Sequence, residues 1–185
     1  MKLILVIVVF TLLGFWAMQV SGRGRPPMVG EAAPEFSLAD MDGRMHRLAD
    51  YRGRWLVLYF YPKADTPGCT KQACALRDDW AEFGRLGVAV LGVSVDSPDE
   101  LKAFAAKYHL PFPLLSDLSG RTAQAYGSIR DFGVVRFAKR HSFLIGPDGR
   151  IAKAYLSVDP QRHARELLAD LKQFQLEEAG KRANN

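Results

Sequence analysis

The chain has 185 residues, 48% apolar and 24% charged, with a formal net charge of +5. That balance belongs to one folded domain with a full-sized core and excludes a disordered chain. The 25 Lys and Arg are interspersed with 20 Asp and Glu, so no basic stripe points to nucleic acid. Two cysteines are too few for a disulfide-stapled scaffold. His46, His109, His141 and His163 do not stand at metal-ligand spacing with those cysteines, so neither a metal nor another cofactor is expected.

At the N-terminus, "MKLILVIVVFTLLGFWAMQV" carries one Lys. An apolar run from Leu3 to Val20 follows, broken only by Thr11, Gly14 and Gln19. A helix of a soluble core would show a polar face, and this segment has none. Residues 1–28, including the linker "GRGRPP", are therefore set apart from the fold. Three outcomes compete: a signal peptide cut after Gly22, a retained anchor near the ~18-residue lower limit for crossing a bilayer, and a true start at Met28. Arg23 and Arg25 weigh slightly against clean export. The first two outcomes place the protein in the bacterial periplasm or on the inner membrane, the third in the cytoplasm.

Residues 29–178 read as one domain and 179–185 as a solvated tail. "EFSLAD" and "MHRLAD" flank "MDG", which predicts a hairpin turning at Asp42-Gly43. "WLVLYFY" is a β-rich run suited to a strand buried on both faces. A helix is expected from about Cys69 to Leu86, with Ala73, Leu76, Trp80 and Phe83 on one side. "VAVLGVSV" predicts a second buried strand. "SPDELKAFAAKYH" predicts a helix capped by Ser97, opened by Pro98, with Glu100 three residues after the cap. "FPLLSD" predicts a short strand and "LSGRTAQAYG" a short helix. "HSFLIGPDGRIAKAYL" predicts two strands around a Pro147-Asp148-Gly149 turn. The final helix is expected at "DPQRHARELLADLKQF", with Asp159 as cap and Pro160 opening it. This alternation predicts an α/β fold: a mainly parallel central sheet flanked by helices, with an N-terminal β-hairpin.

In such sheets the sites lie beyond the carboxyl ends of the strands. The stretch "YPKADTPGCTKQAC" occupies that place and holds both cysteines. Cys69 falls in the first turn of a helix, where unpaired N–H groups and the dipole favour a thiolate, the reactive form. Thr66 stands three residues earlier, so its hydroxyl is in reach of the sulfur or of an oxygen approaching it. Pro62 and Pro67 stiffen the loop, and Gly68 allows a close approach by backbone or substrate.

"PKADTPGC" matches the P-x-x-x-T-x-x-C signature of the peroxiredoxins. "YFYPKADTPGCTKQACALRD" resembles the bacterioferritin-comigratory, or peroxiredoxin Q, subfamily. The similarity continues through "GVSVDSPDELKAFAAKYHLPFPLLSD" and "RHSFLIGPDGRI", covering nearly all of residues 29–175. The resemblance implies a thioredoxin-like fold and a peroxidase that reduces hydrogen peroxide and organic hydroperoxides without metal or haem. It implies Cys69 as the peroxidatic cysteine, Pro62 and Thr66 as its loop partners, and Cys74 as the resolving cysteine of a Cys69–Cys74 disulfide. It implies Arg140, from "RHSF", as the distant arginine that, with Thr66, Gly68 and Cys69, holds the peroxide. A monomer recycled by thioredoxin or another dithiol protein is the expected assembly. "GSIRDFGVVRFAK" looks shorter than the common pattern and offers Arg130 and Arg136 as rivals to Arg140. The alternative function is a membrane-tethered or periplasmic thiol–disulfide oxidoreductase, which calls for C-x-x-C where this chain has C-x-x-x-x-C. A copper-binding thioredoxin-like protein would leave Thr66 unexplained.

Overall fold

The computed structural model describes residues 24–183, so the apolar segment of the sequence lies outside the described residues. Among the described residues no helix is long and apolar enough to cross a membrane.

The chain opens with an antiparallel hairpin of β1 (Ser37–Ala39) and β2 (Met45–Arg47). Its turn is closed by the Gly43 N–H donating to the Asp40 carbonyl at 3.1 Å, with Gly43 at φ +80°, a conformation that favours glycine. A 3-10 turn, Leu48–Tyr51, leads into β3 (Leu56–Phe60). Then follow α1 (Pro67–Asp78), α2 (Trp80–Arg85), β4 (Ala89–Ser94), α3 (Pro98–Tyr108), β5 (Leu114–Ser116) and α4 (Arg121–Ala125). A second hairpin, β6 (Ile129–Asp131) and β7 (Arg136–Ala138), precedes β8 (Ser142–Ile145), β9 (Ile151–Tyr155) and the long α5 (His163–Ala183).

The central sheet has the order β5-β4-β3-β8-β9. The pairs β3–β4 and β4–β5 are parallel, whereas β3–β8 and β8–β9 are antiparallel. The α/β, thioredoxin-like architecture stands, and within it the sheet is mixed rather than mainly parallel. The helical crossovers α1–α2 and α3 make their strand pairs parallel, while the tight turn after β8 forces β9 to run back. Strand β3 shows why the run is apolar throughout. Val57, Tyr59 and Tyr61 point into one core with Leu76, Phe83, Leu101, Phe104 and Leu167. Leu56, Leu58 and Phe60 point into the other, with Phe36, Leu48, Leu91 and Tyr126. The period-2 alternation is present, but both faces are dry.

The cap of α3 forms as the sequence implies: Ser97 Oγ accepts the Glu100 N–H at 3.3 Å and Glu100 Oε2 accepts the Ser97 N–H at 2.9 Å. Two helix boundaries differ from expectation. The single helix over 69–86 is broken at Asp79, whose φ/ψ of −93°/9° leaves helical geometry. The break lets Trp80 turn in against Phe112, ring centroids 5.7 Å apart. The last helix begins at His163 because Asp159 caps a preceding turn: its carbonyl accepts the N–H groups of Arg162 and His163, and its carboxylate that of Gln161.

Candidate active site

Beyond the carboxyl end of β3 the loop 62–66 is tied down from below and from one side. The buried Asp96 accepts the Ala64 N–H and the Ser94 hydroxyl through Oδ2, each at 2.8 Å, and its Oδ1 stands 2.5 Å from Lys63 Nζ. Lys63 also reaches Glu100 at 2.6 Å, and these two carboxylates raise its pKa. Asp65 takes the left-handed conformation, φ 59°, which is strained for a residue other than glycine. Its carboxylate binds Lys107 at 2.7 and 2.9 Å and the Tyr108 hydroxyl at 2.7 Å. Those two partners on α3 hold the carboxyl below its usual range. The strained turn is thus maintained by contacts to a helix distant in sequence.

The loop delivers Thr66 as N-cap, at φ −87° and ψ 151°, with Pro67 in the first position of α1. The first intrahelical bond, Thr70 N–H to Thr66 carbonyl, is 2.8 Å long. Cys69 lies in this first turn and is 1% exposed. The Thr66 hydroxyl donates to the Lys63 carbonyl at 2.9 Å. Its single proton is therefore spent within the loop, and its oxygen is left as an acceptor.

Arg140 reaches this point because of sheet register. Strand β8 runs antiparallel to β3 with Ser142 opposite Tyr59, and the Phe60 N–H donates to the His141 carbonyl at 2.7 Å. Residues just before β8 therefore stand where β3 ends and the loop begins. Arg140 Nη2 donates to Cys69 Sγ at 3.3 Å, and Nη1 donates to Gln72 Oε1 at 2.7 Å and, more weakly, to the Gly68 carbonyl at 3.5 Å. A Cβ at position 68 would lie 3.1 Å from Arg140 Nη2. The close approach that Gly68 allows is made by the guanidinium. Behind Arg140, the fully buried His163 shares a 2.8 Å hydrogen bond with Ser142 Oγ through Nε2. Burial, reinforced by the positive charge of Arg140, pushes the His163 pKa down to about 4.

Pro62, Arg130, Phe137, Arg140, Leu156 and Val158 line an open depression of about 320 Å³ beside Arg140. Arg136 is engaged elsewhere, donating to Asp131 at 2.9 Å and to the Ser119 carbonyl at 2.8 Å. Cys74, partly exposed, lies in the same continuous helix as Cys69; both thiols are free. Cys74 opens onto a separate depression of about 370 Å³ bordered by Lys71, Asp78, Asp79, Gln161 and Arg165.

The structure thus gathers Pro62, Thr66, Gly68, Cys69 and Arg140 at one place, with Cys74 on the same helix. Arg130 is exposed at the rim, beside Pro62, while Arg140 contacts the sulfur. Sequence reasoning missed Gln72, which is fully buried, although its spacing of three from Cys69 puts both on one helical face. It also missed Asp96, a carboxylate on a loop with no local signal of its distant partners. Three buried polar atoms near the helix start have no hydrogen-bond partner: Tyr59 OH, Thr70 Oγ1 and Gln72 Nε2.

A thioredoxin-like domain with a buried thiol at a helix start, under an arginine, defines a thiol-based redox protein. The AhpC/TSA family pattern matches residues 29–154. Peroxiredoxin Bcp of Escherichia coli is 41% identical over 152 residues, covering 80% of this chain and 97% of that protein. Among solved structures, BcpB of Mycobacterium tuberculosis aligns with a TM-score of 0.76 at 33% identity, over 80% of this chain and 97% of its own. PrxQ of Xylella fastidiosa aligns with a TM-score of 0.75 at 34% identity, over 80% and 98%. The chain belongs to the AhpC/TSA family and, within it, to the Bcp and PrxQ peroxiredoxins.

Proposed function

We propose that this peroxiredoxin reduces hydrogen peroxide and organic hydroperoxides through Cys69, with Cys74 resolving the oxidised thiol. The observation that carries the reading is the 3.3 Å contact between Arg140 Nη2 and Cys69 Sγ at the start of α1. The guanidinium favours the thiolate and offers donors to a peroxide entering beside it. Thr66, its proton committed to Lys63, accepts the O–H of the hydroperoxide. The thiolate attacks the terminal oxygen, which keeps its hydrogen, the O–O bond breaks, and the departing alkoxide or hydroxide takes up a proton from water. Cys69 is left as a sulfenic acid. The Cys74 thiol then condenses with it, releasing water and forming a Cys69–Cys74 disulfide. Thioredoxin or another dithiol protein reduces that disulfide by exchange, acting on a monomer.

The assay is peroxide consumption by the purified chain with thioredoxin and its reductase as electron source. Consumption that depends on Cys69 supports the reading. Reduction of a disulfide protein substrate without peroxide consumption would instead mark a thiol–disulfide oxidoreductase. The C-x-x-x-x-C spacing within one helix does not favour that second function.

We propose that the apolar run Leu3–Val20 is a signal peptide or anchor that directs the chain to or across a membrane, the alternative being a cytoplasmic protein that starts at Met28. A reporter active only outside the cytoplasm, fused to the C-terminus, is active with residues 1–28 present and inactive without them. Inactivity of the full-length fusion would favour an inward-facing anchor or a start at Met28.

A further inference from the structure

The tip of the β6–β7 hairpin shows solvent a patch that the fold does not account for. Phe132, Val134 and Val135 are 66%, 97% and 56% exposed, although the turn that carries them is tightly built. The Phe132 N–H donates to the Val135 carbonyl at 3.0 Å and the Gly133 N–H to Asp131 Oδ1 at 2.9 Å. Phe132 also packs on Phe137, ring centroids 5.9 Å apart. Such a turn needs Gly133 for its φ of +82°, but it needs nothing apolar at Val134. Exposed apolar residues scattered singly are ordinary, whereas a cluster on one projecting loop marks a contact. Basic side chains flank it. Arg130 and Arg136 stand exposed on the two strands, and Arg136 is ion-paired with Asp131.

Two observations identify the occupant. The first is where the N-terminal segment meets the domain. A Cβ at Gly127 would lie 2.3 Å from the Pro26 nitrogen, so the backbone at 25–26 passes directly against the residue two places before β6. Only Ser21 to Gly24 separate Arg25 from Val20, the last residue of the apolar run. If that run enters a bilayer, the bilayer surface lies within about 18 Å of the hairpin base. The five residues from Gly127 to Phe132 span at most about 17 Å, so the tip and the end of the run can reach one plane. The second observation is charge: an apolar tip with a basic shoulder complements an anionic lipid surface. A second copy of the chain fits less well, because one short loop falls far below the ~800 Å² per partner of a stable interface. A tethered contact needs no such area, since the anchor keeps the tip at high effective concentration. We infer that the β6–β7 tip is a membrane-contact element: Phe132, Val134 and Val135 enter the interfacial layer of an anionic bilayer, and Arg130 meets its headgroups. The inference rests on Leu3–Val20 being retained as an anchor. Arg130 and Phe137 also border the depression beside Arg140, so the contact turns that side of the domain toward the lipid.

The test uses the full chain with Trp16→Phe, which removes the indole of the apolar run, compared with the same chain carrying Phe132→Trp. Both keep Trp55 and Trp80, so the difference in emission belongs to the tip. The chains are reconstituted into vesicles of phosphatidylcholine with about a quarter phosphatidylglycerol, floated on a density gradient, and read with and without lipids brominated in the upper acyl chain. The added indole is expected to be quenched about twofold by the brominated lipid, and Val134→Ser with Val135→Ser to abolish the quenching. Quenching that survives those two substitutions overturns the inference. An unquenched indole in a chain that floats overturns it too and leaves the anchor in place; if cross-linking then traps dimers that Val134→Ser disperses, the occupant is a second copy. A chain that does not float removes the anchor reading and this inference together.

Discussion

Cys69 and Cys74 stand five residues apart in one helix under opposite conditions. Cys69 is 1% exposed, lies under the Arg140 guanidinium, and follows a loop fastened to Asp96, Lys107 and Tyr108. Cys74 is partly exposed beside an open depression whose rim of Lys71, Asp78, Asp79 and Arg165 carries mixed charge. On the proposed function, the buried thiol is the one a small oxidant must reach and a large partner cannot. The other sits where a protein thiol can reach it. If the proposed roles hold, one helix separates attack from recycling without a second domain.

The strongest way to break the contrast is to remove each thiol. Cys69→Ser is expected to abolish peroxide consumption, because an alcohol supplies no thiolate near neutral pH. Retention of a tenth of the rate or more would sink the assignment. Cys74→Ser is expected to keep single-turnover oxidation of Cys69 within a few-fold and to lose recycling through an intramolecular disulfide. Mass spectrometry after one equivalent of peroxide distinguishes the disulfide expected in the parent chain from the sulfenic acid expected in Cys74→Ser.

A smaller effect separates the arginines. Arg140→Ala is expected to slow peroxide attack by about 100-fold, the scale for removing a donor aimed at developing charge. Arg136, occupied by Asp131 and Ser119, is expected to change it by no more than about twofold on conversion to Ala. Stopped-flow oxidation of both variants decides this, and the reverse ranking would move the role to Arg136.

Much of this arrangement was legible in the chain because it is local. The Thr66-Pro67-Gly68 turn places Cys69 at a helix start, and the apolar run places that start beyond the carboxyl end of a buried strand. The hairpin 129–138 was not legible: its strands are three residues each, and Phe132, Val134 and Val135 at its tip are exposed, so no buried face imposes a pattern. Gln72 and Asp96 were not legible for another reason. Their partners stand 68 and 32 residues away, and a polar residue in a sequence carries no mark of the tertiary contact that buries it. The β3–β8 register brings Arg140, and not Arg130 or Arg136, to the sulfur.

The contrast between the thiols must be reversed for them to join. Five helical residues give about 7.5 Å of rise and place the two Cα atoms ~8.7 Å apart, with side chains on different faces. A disulfide needs them within about 7 Å. Since α1 is continuous over both cysteines, bonding requires its first turns to unwind. The unpartnered Thr70 Oγ1 and Gln72 Nε2 in those turns lower the cost, since each buried orphan destabilises by about 1–3 kcal/mol. Amide exchange across residues 69–78 is expected to be faster in oxidised than in reduced protein. Identical protection, with the disulfide confirmed by mass, would rule out unwinding.

The smallest expected effect tests how dry the Cys69 side is. His163 is fully buried behind Arg140, and burial with the Arg140 charge lowers its pKa to about 4. His141, next to Arg140 in the chain, is lowered to about 4 by burial and by the nearby Lys139 and Arg130. In the unfolded chain both titrate near 6.5. A depressed histidine pKa means that between about 6.5 and 4 the unfolded state binds protons that the folded state does not. Stability is therefore complete above pH 6.5 and is lost as pH falls toward 4, by at most about 3 kcal/mol for His163 and by less for His141, which solvent screens more. The lowered carboxyls, such as Asp40 and Asp65, act only below this window, because their unfolded values lie near 4. Urea midpoints at pH 7, 6 and 5 are expected to decline, and His163→Gln, which can still bond Ser142, is expected to flatten part of the slope. Midpoints constant from pH 7 to pH 5 would mean that water reaches these rings and that the face behind Cys69 is no drier than the one around Cys74.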